Sequence, residues 1–112
     1  MIETKVTNLI YAGSFAVDSG QAMVGDPCYL DDWDTNKNDE WNLEGKLNQY
    51  SYQGASATTL ANSYGQLGFA TAVVFNTGYG DGLYPVYVQM NDDGRVSKVV
   101  IDFEGDIEGE DE

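Results

Sequence analysis

Residues 84–103, "YPVYVQMNDDGRVSKVVIDF", carry the pattern of two β-strands joined by a tight turn. The flanking runs are rich in β-branched and aromatic residues, which favour extended backbone. The intervening "NDDG" (91–94) is typical of a hairpin turn, because Asn and Asp side chains accept hydrogen bonds from nearby amides and Gly94 accepts a positive φ. The stretch therefore predicts an antiparallel hairpin.

A third run of the same character, "FATAVVFN" (69–76), precedes this hairpin. The three runs together predict an antiparallel meander of strands 69–76, 84–90 and 96–103. Period-two alternation places apolar residues on both faces of this sheet, so both faces require cover. Pro85 has no amide to donate, and regular pairing is therefore expected only after it.

The upstream segment 14–25 predicts a second hairpin, with its turn at Asp18, Ser19 and Gly20. "KVTNLIYA" (5–12) predicts a further strand. Five or so strands in a chain of this size predict a mainly-β fold, specifically a small, strongly bent antiparallel barrel.

"SATTLANS" (56–63) predicts the one short helix, with Ser56 as its N-cap. The length of 112 residues fits a single domain, here placed at 1–103. Within it, residues 31–68 are interpreted as an insertion of mixed polar and aromatic composition, and residues 104–112 as an acidic tail.

Several kinds of site are excluded by composition. The chain has no histidine and one cysteine, so Ser-His-Asp catalysis, histidine metal sites and internal disulfides are ruled out. No apolar run reaches the length of a membrane span, and no membrane partner is expected. Cytoplasmic localisation is the simplest expectation.

The net charge of −14 is large and local. Twelve of the nineteen acidic residues lie in 31–44 and 104–112, and the rest of the chain has seven acids and four bases. Such a charge opposes nucleic acids at long range and attracts basic proteins.

The loop "TGYGDG" (77–82) resembles half of a phosphate-binding loop. A phosphate loop is followed by a helix N-terminus, whereas here a strand follows and Asp81 would repel an anion. A structural loop is the favoured interpretation. The alternative is contact with single-stranded nucleic acid through the loop and nearby cations. The residues predicted for that contact are Tyr79, Gly80, Gly82, Arg95 and Lys98.

The acidic loop "DDWDTNKNDEW" (31–41) resembles a calcium loop in part. Oxygen-bearing side chains recur at Asp32, Asp34, Asn36 and Asn38. However, Lys37 and Leu43 stand where a calcium loop has glycine and glutamate. An exposed loop anchored by Trp33 and Trp41 is favoured, and no metal or other cofactor is predicted.

No catalytic constellation is evident, and the chain is not expected to be an enzyme. The sequence around Cys28 offers no partner that would activate its thiol. A magnesium-dependent reaction at acidic residues such as Asp81 or Asp102 is the remaining alternative.

Two segments carry a resemblance to a known family. "FAVDSGQAMVGDPCYL" (15–30) and "TGYGDGLYPVYVQMNDDGRVSKVVIDFEGD" (77–106) resemble an uncharacterised protein family abundant in marine metagenomes and attributed to cyanophages. "GYGDGLYPVY" followed by "GRVSKVVIDF" also resembles a bacterial domain of unknown function. The cyanophage resemblance implies an Sm-like (LSm-like) barrel that assembles into homo-oligomeric rings. The Arg/Lys-Gly pair with which Sm proteins hold RNA is absent here.

Two functions follow as expectations. The first is a ring-forming, non-enzymatic phage scaffold that binds or processes RNA or DNA in the host cytoplasm. The alternative is an acidic protein-interaction module, or a nucleic-acid mimic, that engages a basic host protein.

Overall fold

The computed structural model describes residues 8–35 and 42–107. These residues form two three-stranded antiparallel sheets with one α-helix and one 3₁₀ helix, so the mainly-β prediction is confirmed. Within the described residues neither sheet closes on itself. The elements are β1 (Ile10–Val17), β2 (Gln21–Gly25), the 3₁₀ helix (Pro27–Asp32), α1 (Tyr52–Asn62), β3 (Tyr64–Leu67), β4 (Ala72–Asn76), β5 (Gly82–Met90) and β6 (Val96–Ile101).

The first compact unit contains residues 8–18 and 81–107. Its sheet has β5 in the centre, with β1 and β6 antiparallel on either side. A β-bulge interrupts the pairing of β1 between Tyr11 and Gly13. Tyr84 is buried on β5 and contacts the ring of Phe103 edge-on, at a centroid distance of 5.1 Å.

The hairpin of β5 and β6 confirms the prediction for residues 84–103. Val88 lies opposite Val99, so the two strands share the predicted apolar face. In the turn, Asn91 Oδ1 accepts hydrogen bonds from the amides of Asp93 and Arg95, both at 3.0 Å. Gly94 has a φ of 80°, as its place in the turn requires.

Pro85 lies inside β5, three residues after its start. Its carbonyl accepts a hydrogen bond from the amide of Asp102 at 3.2 Å, so its backbone faces β6 rather than β1. Asp102 follows the last residue of β6, and ladder pairing with β6 begins at Val86. The missing amide of Pro85 would face the carbonyl of Asp102, so one bond is lost at the end of the β5–β6 ladder. On the other edge, β1 pairs with β5 on both sides of Pro85, from Gly82 to Val88, so the expectation of regular pairing only after Pro85 is wrong there.

The second compact unit is Ser19–Gly80, with its sheet in the order β2-β4-β3. One face of this sheet packs against α1. The core there consists of Tyr50, Ala55, Leu67, Ala72 and Val74, with Trp33 packed against it.

Helix α1 begins earlier than the sequence predicted. Its N-cap is Ser51, whose Oγ accepts a hydrogen bond from the amide of Gly54 at 2.9 Å, so the prediction of Ser56 is wrong. Ser56 instead lies within the helix, and its hydroxyl accepts a hydrogen bond from Gln21 on β2. Thr58 packs on Gly65 of β3 so closely that any side chain at Gly65 would overlap its methyl group.

The predicted pairing of strand 69–76 with strand 84–90 is wrong, and so is the predicted hairpin over 14–25. Strands lie in both regions, although the strand predicted over 69–76 begins only at Ala72, after a turn. However, β4 pairs with β2 and β3, and β1 pairs with β5. The turns at 18–20 and 77–82 lead from one sheet to the other instead of folding a strand back on its predecessor. The local sequence favours extended backbone in these regions, whereas contacts between residues far apart in the sequence determine which strands pair.

Parts of some predictions lie outside the described residues. These parts are 5–7 of the strand predicted over 5–12, 36–41 of the acidic loop, and 108–112 of the acidic tail. Segment 31–68, interpreted as an insertion, supplies α1 and β3 to the second unit. Within 8–35 and 42–107, no helix has the length and apolarity needed to cross a bilayer.

Candidate functional site

Hydrogen bonds of Thr77 hold the glycine loop at 77–82 in place. Thr77 is buried, and its hydroxyl donates to the carbonyl of Gly80 at 2.9 Å. The amide of Thr77 donates to the carbonyl of Gly20 at 3.0 Å. Gly78 and Gly80 have φ values of 77° and 80°, which explains both glycines without a ligand.

The residues predicted to contact nucleic acid belong to both units. Tyr79 and Gly80 belong to the second unit, whereas Gly82, Arg95 and Lys98 belong to the first. Gly82 begins β5 and Arg95 lies in the turn beyond its far end, which the rise of a strand places about 25 Å away. The first unit therefore does not join these two residues in one site.

Lys98 lies on a face of the first sheet that also carries tyrosines. It pairs with Gln89, whose Oε1 accepts a hydrogen bond from its ammonium at 3.3 Å. Tyr87 lies on the same face and contacts Tyr11 edge-on at 5.9 Å. Tyr87 is only 9% exposed, so it offers little surface on which a base could stack.

Asp102 holds the segment that follows β6. Its Oδ1 accepts hydrogen bonds from the amides of Glu104 (3.0 Å) and Gly105 (2.9 Å), and its Oδ2 accepts one from Ile107 (2.9 Å). The side chain is 5% exposed. Burial raises the pKa of this carboxyl, but the backbone amides of Ile107, Gly105, Glu104 and Asp106 outweigh burial and hold it below its ordinary value. These contacts assign Asp102 a structural role.

The second unit has an open cleft over the sheet face that points away from α1. The cleft has a volume of about 350 Å³. Strand register places Val24, Val73 and Gln66 side by side on this face, and Tyr29 and Ala70 complete the wall. We call it the open-face cleft.

A smaller cleft of about 200 Å³ lies on the opposite face of the same sheet. Met23 and Val74 line it from β2 and β4, and Trp33, Tyr52 and Ala55 line it from the side of α1. We call it the helix-side cleft. Both clefts include residues of β2, so this strand separates them.

Strand β2 is an edge strand, and among the described residues β4 is its one strand partner. Its sequence, "QAMVG", has no charge and no proline. Met23 and Val24 are 37% and 55% exposed. Natural sheets usually protect such an edge with charges, proline or a bulge, because open backbone groups recruit other strands.

Acidic side chains lie in the segment that follows this strand, where Tyr29 lines the open-face cleft and Trp33 lines the helix-side cleft. Asp26 follows β2 directly and caps the 3₁₀ helix by accepting a hydrogen bond from the amide of Cys28 at 2.9 Å. Asp31 and Asp32 end the same helix, and all three carboxylates are exposed. No group of three or more metal-ligating side chains occurs within 8–35 and 42–107.

An exposed aromatic ring stands beside the open-face cleft. Phe69 is 99% exposed, and it precedes Ala70 in the wall of that cleft. Its turn is fixed at both ends, because the amide of Gly68 donates to Asn48 O (2.8 Å) and the amide of Thr71 donates to Leu67 O (3.2 Å). Phe69 therefore adds exposed apolar surface beside that cleft.

Sequence reasoning did not find the β2 edge. A signal was present in "QAMVG", a strand without charge or proline that ends directly before an acidic segment. What the sequence lacked was the information that this strand lies at the edge of its sheet.

A family model described as a protein of unknown function (DUF4241) matches residues 9–101. No curated protein matches the chain, and neither does any solved structure.

Proposed function

The chain belongs to the DUF4241 family of proteins of unknown function, and we propose that it is a non-enzymatic interaction module. In this proposal, the surface around β2 docks a basic protein partner. The observation that carries the proposal is an uncharged, exposed strand edge between two clefts, with carboxylates beside it. The clefts offer apolar contact area, and the carboxylates select the partner by charge.

The charge balance of the described residues supports a basic partner over nucleic acid. Twelve acidic residues face three bases there, and the bases are Lys46, Arg95 and Lys98. Proteins that bind single strands combine a basic groove with exposed aromatic rings. The described residues of the first unit carry two bases, Arg95 and Lys98, against seven acids, so they provide no basic groove.

Nucleic-acid binding through Tyr79, Gly80, Gly82, Arg95 and Lys98 stays a prediction. So do the Sm-like barrel, the homo-oligomeric ring, the cyanophage origin and the cytoplasmic location. Light scattering measures the oligomeric state, and fluorescence anisotropy with labelled single-stranded RNA and DNA measures the binding.

The proposed function is tested with two peptides of opposite charge and with protein variants that lack selected carboxylates. The full chain is titrated with a fluorescent eight-residue peptide that has two lysines at each end and apolar residues at its centre. A matched peptide carries glutamates instead of lysines. We expect the lysine peptide alone to bind, and to bind more weakly as salt rises.

Two protein variants with the same change in charge locate the effect. D31N/D32N removes two carboxylates at the end of the 3₁₀ helix that follows β2, and D92N/D93N removes two in the turn between β5 and β6. We expect the first variant to weaken peptide binding about tenfold and the second to leave it within about twofold, because only the first removes carboxylates of the 3₁₀ helix that follows β2. Equal loss in both variants, or equal binding of both peptides, would refute the proposed site.

A further inference from the structure

We propose that the partner segment binds as an added β-strand along the outer edge of β2, with successive side chains entering the two clefts in turn. This inference rests on the proposed function and specifies how the same surface binds. Peptides that extend an open sheet in this way gain affinity from backbone hydrogen bonds and specificity from alternate side chains.

The hydrogen bonds of the sheet identify which backbone groups of β2 face outward. The amide of Thr77 donates to Gly20 O, and that of Asn76 donates to Ser63 O beside β3. Because bonding alternates along an antiparallel pair, Ala22 and Val24 direct their backbone groups to β4. Gln21, Met23 and Gly25 therefore direct theirs away from the sheet.

The other sheet edges in the described residues differ from β2 in their protection. On β3, the side-chain amide of Asn48 donates to Gln66 O at 2.7 Å and occupies part of that edge. The bulge between Tyr11 and Gly13 distorts β1, and β6 carries Lys98. All three devices are known to discourage strand addition, and β2 has none of them.

The clefts match the geometry of an added strand. Residues directly opposite one another in a sheet share a face, and neighbours along a strand point to opposite faces. A partner residue opposite Met23 would point to the helix-side cleft. The adjacent partner residue, opposite Val24, would point to the open-face cleft. The expected partner motif is two consecutive apolar residues in an extended segment flanked by Lys or Arg.

Charge complementarity selects a basic segment over a second copy of this chain. Pairing two β2 edges would bring together two copies that each carry a net charge of −14. It would also place the carboxylates of Asp26, Asp31 and Asp32 from both copies around one interface, where like charges repel. A lysine-flanked strand places opposite charges in the same positions.

The experiment follows backbone amides of the full chain by hydrogen exchange, using the lysine peptide with adjacent valine and leucine at its centre and a threonine on each side of that pair. In the free protein, we expect the amides of Met23 and Gly25 to exchange faster than those of Ala22 and Val24. Saturating peptide should slow exchange at Met23 and Gly25 at least tenfold. This readout requires no substitution, so it does not depend on whether a variant folds.

Substitutions at β2 provide a second readout. Met23→Pro removes an outward amide without removing a ladder bond to β4, whereas Met23→Leu retains the amide. Val99→Pro makes the same kind of change on the outer edge of β6. We expect at least tenfold weaker peptide binding for M23P, and binding within about threefold of the unmodified chain for M23L and V99P. Circular dichroism checks that each variant retains its sheets.

The outcomes separate the two proposals. If the peptide binds in a manner sensitive to D31N/D32N, but exchange at Met23 and Gly25 is unchanged and M23P binds normally, strand addition is wrong and docking stands. If the lysine peptide does not bind at all, both are wrong. A dimer in light scattering that M23P dissociates would assign the edge to a second copy and overturn the basic partner.

Discussion

Replacing Asp102 with Asn tests whether this buried carboxylate holds residues 102–107 in place. Three backbone amides donate to it, at 2.9 to 3.0 Å. The amide oxygen of Asn can take the place of Oδ1 and retain two of these bonds as neutral ones. The amide nitrogen would replace Oδ2 and oppose the N–H of Ile107.

The magnitude follows from these bonds. Losing the bond at Oδ2 removes a hydrogen bond to a charged group, worth about 1.5–3 kcal/mol. Neutralising the acceptor weakens the other two bonds, so we expect D102N to lower the free energy of unfolding by about 2–4 kcal/mol at pH 7. D106N makes the same change in charge on an exposed side chain of the same segment, and should cost within about 0.5 kcal/mol.

The pH dependence gives a second test. Because the folded-state pKa of Asp102 is held below its ordinary value, ionisation of this carboxyl stabilises the fold above that ordinary value, about 3.9. The stabilisation is lost as the pH falls through the folded-state pKa. The gap between the unmodified chain and D102N should therefore be full at pH 7 and should shrink below about pH 4.

The assay is urea unfolding at several pH values, followed by far-UV circular dichroism. Comparison of D102N with D106N removes the effect of net charge. If the two variants differ by less than about 0.5 kcal/mol at pH 7, or if the gap widens on acidification, the assigned role of Asp102 is wrong.

Three further predictions concern the turns and the helix, and each is measured by urea unfolding. Gly54→Ala should lower the free energy of unfolding by more than about 3 kcal/mol, because the new Cβ would overlap the carbonyl of Gln49. Helix propensity alone predicts that the same change raises this free energy by about 1 kcal/mol, so the sign of the measured change distinguishes the two effects. Ser51→Ala should cost about 1–2 kcal/mol through the lost N-cap bond, with reduced helicity in circular dichroism. Asn91→Ala should cost about 1–2 kcal/mol by removing the acceptor of two turn amides, whereas Asp92→Ala beside it should cost under about 0.5 kcal/mol.

The sequence specified those parts of the fold that depend on near neighbours. The hairpin of β5 and β6 could be predicted because its turn residues, Asn91 and Gly94, act within five positions of one another. The pairing of β1 with β5 could not, since their partners are about 70 residues apart and any apolar strand would satisfy the local pattern. Helix α1 was misplaced at its start because Ser51 and Ser56 are equally good caps by residue type.

The candidate site was less accessible from sequence than the fold. Glycines at 78 and 80 drew attention to a loop in which they satisfy backbone conformation alone. The β2 edge could not be predicted, because the position of a strand at an edge depends on the pairing of the whole sheet. The local sequence "QAMVG" does not determine that pairing. The sequence indicates Asp102 only as a possible catalytic acid, because its three amide partners lie in the segment interpreted as an acidic tail.

The hydrogen bond between Thr77 and Gly20 has a consequence for how this gene can be rearranged. It brings together the two ends of residues 19–80, and in the first sheet Val17 lies opposite Gly82, so the flanking ends also meet. The 62-residue stretch therefore lies within the connection between the paired strands β1 and β5. A two-residue turn could make the same connection. Such a layout suits transfer as a cassette: a recombination event or a designer can exchange it at two neighbouring junctions, leaving the register of β1 and β5 intact.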